Sequence, residues 1–196
     1  MNFDIVLDHI YLVVMASIFA TIVGLILGVV VYLFKRVRPI ILQIIDIIQT
    51  IPALAILGIL MIFFGGNSTT VIIGLVLYSL LPIVRNTYVG LDTIDPAIKE
   101  AAKGMGMTKM QRLFRVELEL AFPMIFTGIR IAVVTSIGTA VFGAFVGGGG
   151  LGNTINRAIL IQDMSTLMKA TVSLMVMSII FDYGMGFLEK RLKARV

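Results

Sequence analysis

The sequence predicts an all-α integral membrane protein with five transmembrane helices, and three observations predict it. Of its 196 residues, 59% are hydrophobic and only 14% charged, against about 25% charged in soluble domains, and the mean hydropathy is +1.05. The apolar residues gather into five runs, each long enough for roughly 30 Å of hydrocarbon at about 1.5 Å per residue. The connections between the runs alternate between basic and nearly uncharged.

The first run covers about 10–34. The residues before it, Met1 to Asp8, contain no Lys or Arg, so they lack the basic start of a cleaved signal peptide, and the run reads as a retained helix. The second run, about 40–64, carries Gln49 and Pro52; the third, about 70–91, carries Pro82. Proline removes a backbone donor and kinks a helix, which lipid tolerates only where neighbours re-satisfy the freed groups. The fourth and fifth runs cover about 124–146 and 167–188. Gly24, Gly28, Gly58, Gly74, Gly128, Gly138 and Gly143 offer places for close helix approach. On the residues alone, packing accounts for these prolines and glycines as well as a moving pathway does.

Lys35, Arg36 and Arg38 follow the first run. Lys99, Lys103, Lys109, Arg112 and Arg115 lie in the third connection, about 92–123, and Lys190, Arg191, Lys193 and Arg195 follow the last run. The other two connections, 65–70 and 147–166, carry only Arg157. The bias of Lys and Arg toward the cytoplasm then places the N-terminus outside and the C-terminus inside. A sequence pI near 9.7 is explained by that bias rather than by nucleic-acid binding. Without Cys, disulfides and thiol chemistry are excluded, and a single His, His9, makes no metal site.

Four charges fall within the runs: Asp46, Arg85, Arg130 and Asp182. Each lies about six or seven residues from the basic end of its helix, or roughly 10 Å deep. An isolated charge costs about 3 kcal/mol at the bilayer centre. The four are expected to form a neutralised belt, Asp46 or Asp182 pairing with Arg85 or Arg130, unless the arginines snorkel to the interface.

The third connection reads helix-turn-helix. Asp95-Pro96 supplies a cap and a first helical residue, and the segment Pro96-Ala-Ile-Lys-Glu-Ala-Ala-Lys ends near Gly104 and Gly106. A second segment, Thr108 to Leu120, has Met110, Leu113, Phe114 and Glu117 at helical spacing. On chemistry alone, this stretch is either a partner-docking helix or an amphipathic helix on the membrane surface.

The order Glu100-Ala101-Ala102, three residues, Gly106, nine residues, Val116 resembles the EAA-loop pattern of ABC importer permeases, the type I transmembrane family. Glu119 departs from that pattern, which has proline there, and Pro123 follows four residues later. The stretches Gln49-Thr-Ile-Pro-Ala-Leu-Ala55, Leu81-Pro-Ile-Val-Arg-Asn-Thr87 and Phe145-Val-Gly-Gly-Gly-Gly-Leu-Gly152 are similar to the branch that imports glycine betaine, choline or carnitine. The resemblance implies one type I domain over about 10–190, joined by a second permease (an identical or paralogous chain), two cytoplasmic ATPases and an extracellular solute-binding protein. It implies that Glu100, Ala101, Ala102, Gly104 and Gly106 dock on the ATPase, that ATP and Mg²⁺ sit on that partner, and that this chain binds no cofactor. It also implies a bacterial plasma membrane location and transport by alternating access. The binding protein is expected to be a separate chain.

Gln49, Thr50, Pro52, Tyr78, Pro82, Asn86, Thr135 and Ser136 are the candidate pathway and gating residues, with Ser79 as a further polar group. Tyr78, Tyr88 and Phe142 are candidate aromatic faces for a quaternary ammonium group. The glycines at 147–150 and 152 are no phosphate loop, since no Gly-Lys-Ser/Thr follows. They read as a break before a short outer helix, with Leu151, Ile155, Ala158 and Ile159 on one face. Ergothioneine or an amino acid such as methionine is the alternative solute. An intramembrane enzyme built on Asp46 and Asp182, or a simple channel, is the alternative class.

Overall fold

The computed structural model describes residues 3–193; Arg195, counted above among the C-terminal basic residues, lies outside them. Among the described residues all regular structure is helical. Helix α1 (Phe3–Leu33) is followed by α2 (Arg38–Thr50) and α3 (Ala53–Phe64), then α4 (Ser68–Asp92) and the short α5 (Pro96–Gly104). Next come α6 (Lys109–Arg112), a π turn (Leu113–Glu117), α7 (Leu118–Thr139) and a 3-10 segment (Ala140–Val146). Helices α8 (Gly150–Leu160) and α9 (Met164–Lys193) complete the order.

Four stretches are long and apolar enough to cross a membrane: Phe3–Leu33, Ser68–Asp92, Lys109–Val146 and Met164–Lys193. The fifth predicted crossing, 40–64, is not one helix. It breaks at Ile51-Pro52 into α2 and α3, whose axes differ by 100°. Pro52 sits at the N-cap of α3 rather than inside a kinked helix, and its fixed φ and missing donor suit that place. The first crossing begins at Phe3 rather than residue 10, so His9 lies within α1, buried, and bonds through Nε2 to the Ile137 carbonyl at 3.0 Å. The last crossing extends beyond 167–188 at both ends.

The fourth crossing also starts earlier than residue 124. Thr108 and Gln111 form a reciprocal capping box, and the helical run continues from Lys109 through Val146. Pro123 is therefore inside α7, not at its entrance. The Thr108 to Leu120 segment, expected as a separate helix of the connection, is thus the start of this crossing, with one wide π turn at Leu113–Glu117 inside it.

Helix α4 is the hub, packed against α1 and α7, with α9 against α7 and α8. Gly24 and Gly28 let α1 approach α4 closely: a Cβ at Gly24 would lie 2.6 Å from Ile83, and one at Gly28 2.5 Å from Thr87. Gly58 and Gly138, also expected at close contacts, face open space. The main core joins Leu12, Leu57, Leu75, Ile137 and Leu151 from five elements. A second, Leu91, Ile94, Leu113, Ala121 and Ile125, roots the base of α5. The connection 147–166 holds α8, which buries Leu151 and Ala158 and packs Ile155, whereas Ile159, expected on that face, is exposed. Positive φ at Gly147, Gly149 and Gly150 makes the reversal into α8.

Candidate functional site

The polar groups of α2, α4 and α7 converge on one open cleft of about 440 Å³. It arises from two helix defects that meet. Pro82, in mid α4, has no N–H for the carbonyl one turn back, that of Tyr78. The Gln49 side-chain amide donates to that Tyr78 carbonyl. The Tyr78 hydroxyl in turn donates to the carbonyl of Ile51, the residue at the break between α2 and α3. Each defect thus satisfies the other, as a nonaqueous surrounding requires. Across the cleft Ser79 and Ser136 hydroxyls bond at 2.9 Å, fixing α4 on α7. The Asn86 amide donates to the Pro82 carbonyl at 2.7 Å.

Of the eight predicted pathway residues, Gln49, Tyr78, Pro82, Asn86, Thr135 and Ser136 line this cleft, as does Ser79. Thr50 and Pro52 do not: the Thr50 hydroxyl donates to the Ile47 carbonyl at 2.7 Å, and Pro52 starts α3. The other two aromatic candidates are elsewhere. Tyr88 is covered by the Arg38 guanidinium, 4.5 Å from its ring centre, and Phe142 is exposed on the 3-10 segment. Arg85 and Thr139 join the lining.

The four internal charges resolve into two separate groups. Arg85 Nη2 donates to both Asp46 carboxylate oxygens, at 2.7 and 2.8 Å, on the rim of the cleft. Arg130 donates through Nε to Asp182 at 2.9 Å and through Nη1 to Glu189 at 2.9 Å. Thr127 and Lys193 also bond Glu189, both at 2.7 Å. Glu189 was not among the predicted residues. Its signal was the spacing: it stands seven residues after Asp182, two turns along the same face of α9.

The α5 segment presents the other candidate site. The Asp95 carboxylate caps it, accepting from Ala97 N at 2.8 Å, and Lys99 reaches back to the Leu91 carbonyl at 2.9 Å. Ala102 is buried; Glu100, Ala101, Gly104 and Gly106 are exposed. Gly106 has φ of +81° and ends the segment. Ile98, Met105, Met110 and Phe114 are apolar and exposed around it. Behind it Arg112 Nε donates to the almost fully buried Glu117 at 2.6 Å. Those two residues stand five apart, which the π turn brings onto one face. This internal pair too was not predicted.

The family model described as "binding-protein-dependent transport system inner membrane component" matches residues 20–194. The chain belongs to that family. It is 43% identical over 185 residues to the glycine betaine/carnitine/choline transport system permease protein OpuCD of Bacillus subtilis, covering 94% of this chain and 81% of that one. It is 45% identical over 176 residues to the carnitine transport permease protein OpuCD of Listeria monocytogenes, covering 89% and 79%. Its fold is similar to that of the inward-facing MetNI methionine ABC transporter, with a TM-score of 0.89 at 21% identity, covering 95% of this chain and 94% of that one. The chain is accordingly a multi-pass inner-membrane permease component of a bacterial binding-protein-dependent transport system, a transport subunit and not an enzyme.

Proposed function

We propose that this permease carries quaternary ammonium osmoprotectants (glycine betaine, choline or carnitine) along the cleft between α2, α4 and α7. The observation that carries the reading is the cleft itself. It gathers polar side chains at membrane depth beside paired helix defects, and irregular backbone in a bilayer is tolerated where it lines such a path. The names of the similar permeases support the choice of solute.

The N-terminus lies outside and the C-terminus in the cytoplasm, following the basic residues. The α5 segment then faces the cytoplasm, where Glu100, Ala101, Gly104 and Gly106 meet a separate ATPase subunit that holds ATP and Mg²⁺. The exposed Met105, Met110 and Phe114 supply the apolar part of that interface. A second permease closes the open side of the cleft, and a solute-binding protein delivers solute from the α8 side. ATPase closure rocks the paired permeases between inward-open and outward-open states.

Uptake of radiolabelled glycine betaine, choline and carnitine into proteoliposomes tests this. The vesicles hold the chain with an ATPase, a second permease and a solute-binding protein from the same organism. ATP-dependent accumulation of one or more of the three is the expected result. Hydrolysis of ATP with none accumulated leaves the importer and removes this solute class; ergothioneine and methionine are the next solutes to supply.

A further inference from the structure

We infer that Arg85 is the carboxylate-recognition residue of a substrate subsite within the membrane, so that the permease itself discriminates carboxylate-bearing solutes from choline. The inference rests on the osmoprotectant reading above and names the chemistry of its cleft. Three observations carry it.

The first is unused donor capacity. A guanidinium has five N–H donors, and Arg85 holds Asp46 through Nη2 alone. Its Nε and Nη1 have no hydrogen-bond partner among the described residues. A purely structural Arg–Asp pair gains most from two parallel bonds; this one leaves an edge of the fork unspent. The second is position. Arg85 lines the cleft, and just over half of its side chain is exposed. On α4 it lies one turn beyond Pro82, next to Asn86, whose amide is held by the Pro82 carbonyl. Arg130, by contrast, spends its donors on two carboxylates, Asp182 and Glu189.

The third observation is charge. Asp46 cancels Arg85, so this part of the cleft is a neutral dipole rather than a cationic trap. A solute that is itself neutral and carries both charges fits it: carboxylate toward the free Arg85 nitrogens, ammonium toward Asp46 and the Tyr78 ring. Aromatic faces attract such cations. Choline satisfies only the cationic half and leaves the free Arg85 donors with water. A site built to hydrogen-bond a group discriminates strongly against the analogue that lacks it.

The test compares wild type, Arg85→Gln, Arg85→Lys and the double variant Asp46→Asn/Arg85→Gln. Each is reconstituted with the full set of partner chains, and uptake is normalised to assembled complex. With Arg85→Gln, the loss of glycine betaine and carnitine uptake should exceed the loss of choline uptake at least tenfold. Arg85→Lys should recover only part of it, because an ammonium cannot offer the fork. The double variant should remain defective for the carboxylate-bearing solutes. A residue that merely balances Asp46 would behave otherwise, since removing both charges leaves nothing unpaired. Recovery in the double variant, or equal losses for all three solutes, overturns the inference and leaves the osmoprotectant reading intact. A wild-type complex that moves none of the three overturns both.

Discussion

Gln49 and Tyr78 face each other at a helix break and a proline inside a helix, and each supplies what the other's backbone lacks. The Gln49 amide donates to the Tyr78 carbonyl, and the Tyr78 hydroxyl donates to the Ile51 carbonyl at the end of α2. Pro82 creates the first vacancy and the turn before Pro52 the second. The bent α2–α3 pair and the proline in α4 are therefore one structural unit. Its by-product is the cleft where the polar side chains of α2, α4 and α7 gather.

That unit makes a prediction about order of substitution. Gln49→Leu should strand the Tyr78 carbonyl and destabilise the subunit by about 1–3 kcal/mol. Pro82→Ala restores the missing helical N–H, so the same Gln49→Leu change in a Pro82→Ala background should be close to neutral. Thermal unfolding of the four detergent-solubilised proteins closes the cycle. Additive losses would show that Gln49 and Pro82 do not share the Tyr78 carbonyl.

Arg130 anchors the C-terminal end of α9 to α7 through Asp182 and Glu189, with Thr127 and Lys193 completing the group. Arg130→Met leaves the nearly buried Glu189 with only Thr127 and Lys193, whereas Asp182→Asn leaves Arg130 a partner. The first change should cost about 2–3 kcal/mol and the second less than half of that. Proteolysis of the C-terminal helix in detergent reads the difference, and equal sensitivity would contradict the ranking.

Much of this was legible in the sequence, and the exceptions share a cause. The existence of long apolar crossings, though not their bounds, and the Asp95–Pro96 helix start were legible because each is local: hydropathy for one, capping chemistry for the other. The four internal charges could be listed, but their partition into Asp46–Arg85 and Arg130–Asp182–Glu189 depends on which helices touch. Hydropathy averaged over 40–64 could not show the break at Ile51-Pro52, because the apolar residues of α2 and α3 run on across it and an average carries no direction. The Thr108 to Leu120 segment read as helical but not as part of the fourth crossing, since its charged residues, the buried Arg112–Glu117 pair among them, mark it as lying outside the bilayer. Cleft membership was legible for the polar residues of α4 and α7. It failed for Thr50, whose hydroxyl turns back on its own helix.

Acid should loosen the entrance to α9. Asp163 accepts from the Thr166 hydroxyl at 2.6 Å and from its backbone N–H at 3.0 Å. These bonds, the hydroxyl's above all, hold the Asp163 carboxyl below the usual aspartate range. A carboxylate lowered in the folded state stabilises fully above its unfolded pKa, and that contribution disappears as pH falls through the folded value. Hydrogen exchange at the first turn of α9 should therefore quicken below about pH 4. Thr166→Val should move the onset upward, since the carboxylate then keeps only the backbone bonds. An unchanged onset in that variant would show that the hydroxyl does not set the Asp163 pKa.

Gly104 and Gly106 look alike in the sequence and should respond oppositely to substitution. Neither has an atom within 4 Å of where a Cβ would stand, so crowding inside the chain separates nothing. Backbone does: Gly104 is the last residue of α5, while Gly106 has φ of +81°. Gly104→Ala should leave the subunit unchanged or firmer by about 0.5–1 kcal/mol. Gly106→Val forces a β-branched residue into the left-handed region, a strain of about 1–3 kcal/mol, and the segment relieves it by changing the direction in which α5 projects. If α5 is where the ATPase docks, Gly106→Val should abolish solute-stimulated ATP hydrolysis and uptake while membrane insertion persists. Gly104→Ala should retain both unless the ATPase packs directly on that atom. Equal activity in both variants would separate α5 geometry from coupling, and the docking assignment would fail with it.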